Sequence, residues 1–443
     1  MAFISTNSTS GTSPEVPLKE ALFRGLAPDG GLYMPRAVPR LPEETLRSFP
    51  ELAWTEVASV LARHLLSDEL DAKTITSITQ SALDFPLPLV RLTDRIHLLE
   101  LFRGPTLAFK DVGARFMARL MAHFRGRNTE SLTILTATSG DTGGAVAHAF
   151  LGLPGIRVVV LFPDGKVTPR QELQFSTLGE NVTAVAVQGD FDDCQRMAKG
   201  AFGNPELRTE VALTSANSIN IGRLLPQSFY YFEAWARFQD WGSMEGSKEN
   251  PSILISVPSG NFGNLAAGLM AKRMGLPGVR FLAATNANDG VPEFLKSGHF
   301  LPRPSRRTLS TAMDVGDPSN LARILHLYDS DLNRLRRDLS GRSVSDEETR
   351  GCIRRVYDAT GYILDPHSAV GFQALERELE DRPKEKGIVF ATAHPAKFAE
   401  VVEPALGEKI PLPPELASCL GKERVVTPMP PETQALERFL RGG

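Results

Sequence analysis

"SLTILTATSGDTGGAVAHAFLGL", Ser131 to Leu153, passes from a β-branched run through a Gly-rich turn into a helical pattern. The same order recurs after it. "IRVVVLF" (156–162) leads through "PDGKVTP" into "RQELQFSTLG", and "NVTAVAVQ" (181–188) leads through "GDFDD" into "CQRMAKGAF". "SILISVPSG" (252–260), "VRFLAAT" (279–285) and "KGIVFATA" (386–393) repeat it further on. Nearly continuous apolar strands alternating with helices predict an α/β protein whose parallel sheets are covered on both faces. Such sheets bind ligands beyond the carboxyl ends of their strands, where these Gly-rich turns lie.

Outside this core the pattern changes. The first ninety residues carry helical periodicity around "TEVASVLARHLL" (55–66) and "TITSITQSALD" (74–84), with few strand signals. "DFPLPLVRL", Asp84 to Leu92, with two prolines, reads as a linker. The proline-rich end, with "IPLPPEL" and "TPMPPET", predicts an extended surface strap and a helix. The expected division is 1–90 helical, 91–130 carrying the lysine segment described below, 131–225 a smaller α/β domain, 226–400 a large α/β domain, and 401–443 the strap.

Composition excludes several classes. A chain of 443 residues with net charge -3, 42% hydrophobic and 23% charged residues, has neither the basic footprint of a nucleic-acid binder nor that of a membrane-surface protein. No run approaches the length of a membrane span, and the N-terminus lacks the basic-then-apolar order of a secretory signal. The three scattered cysteines, Cys194, Cys352 and Cys419, form no disulfide framework, and the eight histidines show no metal-ligand spacing. A cytoplasmic protein without metal is the expectation.

"GPTLAFKDVGARFMARLMAHF", Gly104 to Phe124, raises a chemical question. Val112, Phe116 and Leu120 recur four apart, with Met117, Met121 and Phe124 on the adjoining stripe and Arg115, Arg119 and His123 on a polar face. With Asp111 as the expected N-cap, Lys110 sits at the positive end of a helix, where an ammonium group is disfavoured. A surface lysine would extend into water. An amine kept neutral there could instead attack a carbonyl and form a Schiff base.

Two loops offer anion sites. "VPSGNFGNLAAGL" (257–269) follows a strand and opens a helix, so the N–H groups from Gly260 through Asn261, Phe262 and Gly263 to Asn264 can converge on a phosphate. A turn that merely joins sheet to helix would look similar. "TATSGDTGGAVAHAF" (136–150) adds hydroxyls: Thr138, Ser139 and Thr142 surround Gly140 and can clamp a carboxylate, provided Asp141 turns away or meets an amine. Neither loop is a G-x-G-x-x-G or G-x-x-x-x-G-K-[ST] motif. A phosphate site, a carboxylate site and a carbonyl-reactive lysine together fit pyridoxal phosphate (PLP).

These stretches, with "LKEALFRGLAPDGGLYMP" (18–35), "LDPHSAVG" (364–371) and "TAHPAKF" (392–398), resemble the threonine synthase family of fold type II PLP enzymes. The resemblance implies two parallel-sheet domains around a cofactor cleft, preceded by a helical N-terminal region. It implies conversion of O-phospho-L-homoserine and water to L-threonine and phosphate, by a monomer or homodimer. By position it makes Lys110 the Schiff-base lysine and Gly260 to Asn264 the phosphate loop. Thr138, Ser139, Asp141 and Thr142 become the loop at the substrate carboxylate and the cofactor's 3-oxygen side, and Thr392 the partner of the pyridine nitrogen.

Ser215, Asn217, Asn220 and Arg223, in "SANSINIGRLLPQ", are candidates for gripping substrate, as are Lys166 and Arg170. His394 and Lys397 gain interest from lying beside Thr392, whereas His367 reads as a residue of a helix start. The family pattern has histidine where this chain has Arg103, and Ser-Thr-Arg-Gly where it has "STNS", with Asn7 at the arginine position. A phospho-lyase releasing a 2-oxo acid and ammonia, a dehydratase-type relative and a PLP-binding paralogue without turnover stay open.

Overall fold

The computed structural model describes residues 1–8, 14–126, 131–244 and 252–442. Two sheets dominate. The larger has six strands in the order Leu339–Ser343, Val279–Thr285, Ile253–Pro258, Lys386–Ala391, Ile96–Glu100 and Leu89–Arg91. All neighbours are parallel except the last pair, and Ile255 stands opposite both Phe281 and Ile388. The smaller has five parallel strands in the order Val426–Met429, Val182–Val187, Ile156–Pro163, Leu132–Ala137 and Ala212–Ser215.

Each strand read from an apolar run is present. Leu132–Ala137 and Ile253–Pro258 are buried at every residue, as strands covered on both faces must be. Full burial of a Leu, Val, Ile or Phe in such strands stabilises by about 1.5–3 kcal/mol. The stretch expected as a linker holds an edge strand, Leu89–Arg91, antiparallel to Ile96–Glu100. Its two prolines precede the paired residues, so no ladder hydrogen bond is lost.

The N-terminal region is helical apart from Phe3–Ser5, which pairs antiparallel with Tyr33–Pro35. Trp54–Leu66 buries Val57, Ala58, Leu61, Ala62 and Leu65, one face of a helix, and packs on Phe229–Met244. At the other end, Val426–Met429 lies parallel to Val182–Val187 at the edge of the smaller sheet. Thr433–Leu440 packs on Phe191–Gly203 with Leu436 and Leu440 buried. No helix among the described residues is long and apolar enough to cross a membrane.

Candidate active site

The lysine helix spans Lys110–Arg125, so Lys110 occupies its first turn. Asp111 is not the N-cap. Phe109 holds that position with helical angles, and Asp111 lies inside the helix. Its carboxylate reaches back to the preceding turn, accepting from Thr106 N at 2.9 Å and Thr106 Oγ1 at 2.6 Å. Burial raises its pKa, opposed by those hydrogen bonds. The turn is tight: a Cβ at Gly104 would lie 2.5 Å from Asp111 Oδ2, and Leu107 adopts φ 57°. The Phe109 N–H donates to Thr392 O at 2.9 Å, which ties the lysine to the end of Lys386–Ala391.

Lys110 faces a cleft of about 980 Å³, open mouth included. Loops at the carboxyl ends of four strands build it, those after Ala137, Ser215, Pro258 and Ala391. Burial pushes the Lys110 amine down to about 8, reinforced by Arg223 and Lys397 and opposed by Asp141. The amine is therefore far closer to neutrality than an exposed lysine.

Gly260, Asn261, Phe262, Gly263 and Asn264 line one wall. Their five backbone N–H groups have no acceptor among the described residues. Phe262, at φ 59°, is the N-cap of Gly263–Arg273, so this row of donors leads into a helix's positive end. A Cβ on Gly260 would come within 2.7 Å of Ala312 O and Met313 Cα, so the loop passes where only glycine fits. Unpaired donors at a helix start, with no carboxylate among the loop's own residues, suit the phosphate of PLP.

Across the cleft, Thr138, Ser139, Asp141 and Thr142 also line the wall. The Thr138 hydroxyl accepts from Gly140 N and Gly143 N and donates to Gly140 O, so it fixes the loop. The N–H groups of Ser139, Asp141 and Thr142 have no acceptor among the described residues. Asp141 meets an amine, as an anion site there requires: Lys397 Nζ is 2.7 Å from Oδ1, and Gln171 Nε2 donates to the same oxygen at 2.8 Å. Burial would raise the Asp141 pKa, yet Lys397 and Lys110 outweigh it and hold the carboxyl below its usual range.

Arg223 and Asn217 line the cleft and Ser215 does not. Arg223 is buried, donates to Ala216 O at 2.7 Å, and leaves its Nε without a partner. Burial lowers its pKa to about 10, opposed chiefly by Asp111. Asn217 bonds Ala137 through both amide atoms and joins the ends of two neighbouring strands. Ser215 Oγ accepts from Asn217 N at 3.2 Å. Lys166 and Arg170 are outside the cleft. Lys166 is exposed, and Arg170 donates to Ala396 O at 2.5 Å.

Thr392 lines the cleft as expected, and so does His367. The His367 ring is engaged on both sides: Nδ1 faces Asp365 Oδ2 at 2.6 Å and Nε2 accepts from Ala312 N at 3.2 Å. Arg103 is exposed and pairs with Glu100, while Asn7 Nδ2 donates to Asp29 O at 3.1 Å. Ser218 and Gln195 were not singled out in the sequence and line the wall. Nothing but the neighbourhood of Asn217 could have flagged Ser218.

Comparison with known proteins agrees with this geometry. Residues 83–392 match the family described as pyridoxal-phosphate dependent enzyme. The protein is a PLP-dependent enzyme of fold type II. Residues 3–83 match the threonine synthase N terminus, and 368–440 the threonine synthase C-terminal family. Threonine synthase from Serratia marcescens is 44% identical, with 97% of each chain covered. The crystal structure of threonine synthase from Escherichia coli superposes with TM-score 0.91 at 41% identity, with 99% of each chain covered. That of PLP-bound threonine synthase from Brucella melitensis gives 0.88 at 34% identity, with 100% of this chain and 99% of that one covered. The chain belongs to the threonine synthase family, and its reaction is the PLP-dependent last step of threonine biosynthesis.

Proposed function

We propose that the cleft turns O-phospho-L-homoserine and water into L-threonine and phosphate with Lys110 as its proton carrier. Gly260 to Asn264 hold the cofactor phosphate, and Thr392 faces the pyridine nitrogen. The N–H groups of Ser139, Asp141 and Thr142 take the substrate carboxylate and the cofactor's 3-oxygen side. Thr138 and Ser215 shape their loops. Asn217 and Arg223 stand toward the substrate phosphate, where a buried guanidinium with a free Nε meets an anion well.

PLP, when bound, supplies the electron sink that makes protons next to the amino-bearing carbon acidic. Lys110, lowered to about 8, can take and return protons at neutral pH. It removes the proton at the substrate α-carbon and then one at the β-carbon. Arg223 stabilises the phosphate that departs from the γ-carbon. Water adds at the β-carbon, and protons returned to the γ- and α-carbons complete threonine. His367, bonded through both ring nitrogens, orients its loop.

The observation that carries this reading is the pairing, in one cleft, of a lowered lysine with five unpaired backbone donors. Phosphohomoserine turned over in oxygen-18 water should give threonine labelled at its hydroxyl, about one label per phosphate released, since one water is consumed. In deuterium oxide, label should enter at the α- and γ-carbons. A 2-oxo acid and ammonia as main products would overturn it in favour of a phospho-lyase.

A reducing, cytoplasmic setting is supported by three buried free thiols. The expected assembly is a monomer or a homodimer, which light scattering distinguishes. The slightly negative charge speaks against a nucleic-acid partner.

A further inference from the structure

Arg323, in the helix Leu321–Leu327, is fully buried, and no carboxylate pairs with it among the described residues. Burial alone pushes its pKa down to about 9, which leaves it charged at neutral pH. Its partners are neutral. It donates to Ser218 O and Asn320 Oδ1, each at 2.8 Å, to Ile219 O at 2.6 Å, and to Tyr33 O at 3.2 Å and 3.3 Å. A cation held only by dipoles in a protein interior is unfavourable unless an anion offsets it.

The network around Arg323 leads to the phosphate loop. Asn320 Nδ2 donates to Asn261 O at 3.0 Å and to Ser218 Oγ at 3.3 Å. Asn261 Nδ2 donates to the same Ser218 Oγ at 2.7 Å, and Ser319 N donates to Asn261 Oδ1 at 2.6 Å. In a trans peptide the C=O and the following N–H point in opposite directions. Tethering Asn261 O to Asn320 therefore turns the Phe262 N–H away from Asn320, and that N–H has no acceptor among the described residues. Phe262 sits there in the left-handed region, a conformation that persists only when its surroundings enforce it. The basic residues lining the cleft are Lys110, Arg223 and His367, and none lies on this loop.

We propose that Arg323 is a positioning residue and buried countercharge for the cofactor phosphate. Through Asn320 it holds the Asn261–Phe262 peptide with its N–H toward the cleft, and its charge is balanced when the phosphate is seated. This rests on the reading of Gly260 to Asn264 as the phosphate loop.

The test compares PLP with pyridoxal, which lacks the phosphate, on the full-length chain freed of cofactor. Arg323→Met should weaken PLP by about tenfold and leave pyridoxal affinity nearly unchanged. Arg323→Lys should recover part of the loss. Equal weakening of both ligands would make Arg323 merely structural and overturn the proposal, as would no change in either. Gly263→Val separates the two readings. If it weakens PLP selectively while Arg323→Met does not, the loop stands and the countercharge falls. If Gly263→Val also leaves the preference for PLP intact, the loop assignment fails and takes the proposal with it. Should Arg323→Met not fold, Asn320→Ser cuts the same link and is read by the same criteria.

Discussion

Lys397 Nζ lies 2.7 Å from Asp141 Oδ1 with both side chains buried, and the pair joins the loops of the two sheets beside the cleft. Lys397 also donates to Thr106 O at 2.7 Å, inside the turn that presents Lys110. Lys397→Met should strand the carboxylate and destabilise the fold by about 3–5 kcal/mol, measured by urea unfolding. Adding Asp141→Asn should recover most of that loss. The Asp141 pKa is depressed by folding. Its contribution is therefore full above the ordinary carboxylate value of about 4 and is lost as the pH falls through the lower folded value. A single variant as stable as the double would show that the pair does not couple.

The Lys110 amine gives a pH signature of the same sense at higher pH. Its pKa falls from 10.5 to about 8 on folding, so the unfolded chain binds more protons between those values. Stability of the cofactor-free protein should rise with pH across that window, by at most about 3 kcal/mol and less because cleft water screens the amine. PLP association should accelerate with a midpoint near 8 rather than 10.5. Lys110→Ala should abolish both effects and the borohydride-sensitive visible absorption. A midpoint at the ordinary lysine value would contradict the assignment.

Two glycines of the proposed phosphate loop should differ in tolerance. A Cβ at Gly260 meets backbone at 2.7 Å, whereas at Gly263 it meets Ser218 Cβ at 3.2 Å. Gly260→Ala must therefore shift backbone and should weaken PLP well beyond Gly263→Ala, by about tenfold or more. Equal affinities in a fluorescence titration would refute the difference.

Thr392→Val keeps shape and removes a hydroxyl, so PLP should stay bound while turnover slows. The loss of one hydrogen bond, about 1 kcal/mol, predicts a several-fold fall in kcat with KM little changed. Unchanged rates and transient spectra would place Thr392 away from the ring.

Strands were legible because their apolar runs are uninterrupted, and the cleft positions of Lys110 and of both Gly-rich loops because glycine and hydroxyl spacing is local. Asp111 was misread as a cap since its partner, Thr106, precedes the helix in a turn that pattern alone does not reveal. Lys397 was noticed only by its position. Its partner Asp141 lies in the other sheet's loop, and no periodicity links residues so far apart in sequence. Arg323 looked like any helix arginine because burial without an acid partner leaves no trace in composition. The edge strands were missed for a different reason. Short segments such as Val426–Met429, interrupted by Pro428, become strands by pairing, not by their own pattern.

That last strand has a consequence for biogenesis. The smaller sheet starts at Leu132, but one edge is made by residues far later in the sequence, where Gln188 N donates to Met429 O at 2.9 Å. During synthesis the Val182–Val187 edge must wait, unpaired, until Val426–Met429 has been made and has left the ribosome. A chain stopped short by premature termination would keep that edge open, a template for joining other chains rather than for finishing itself.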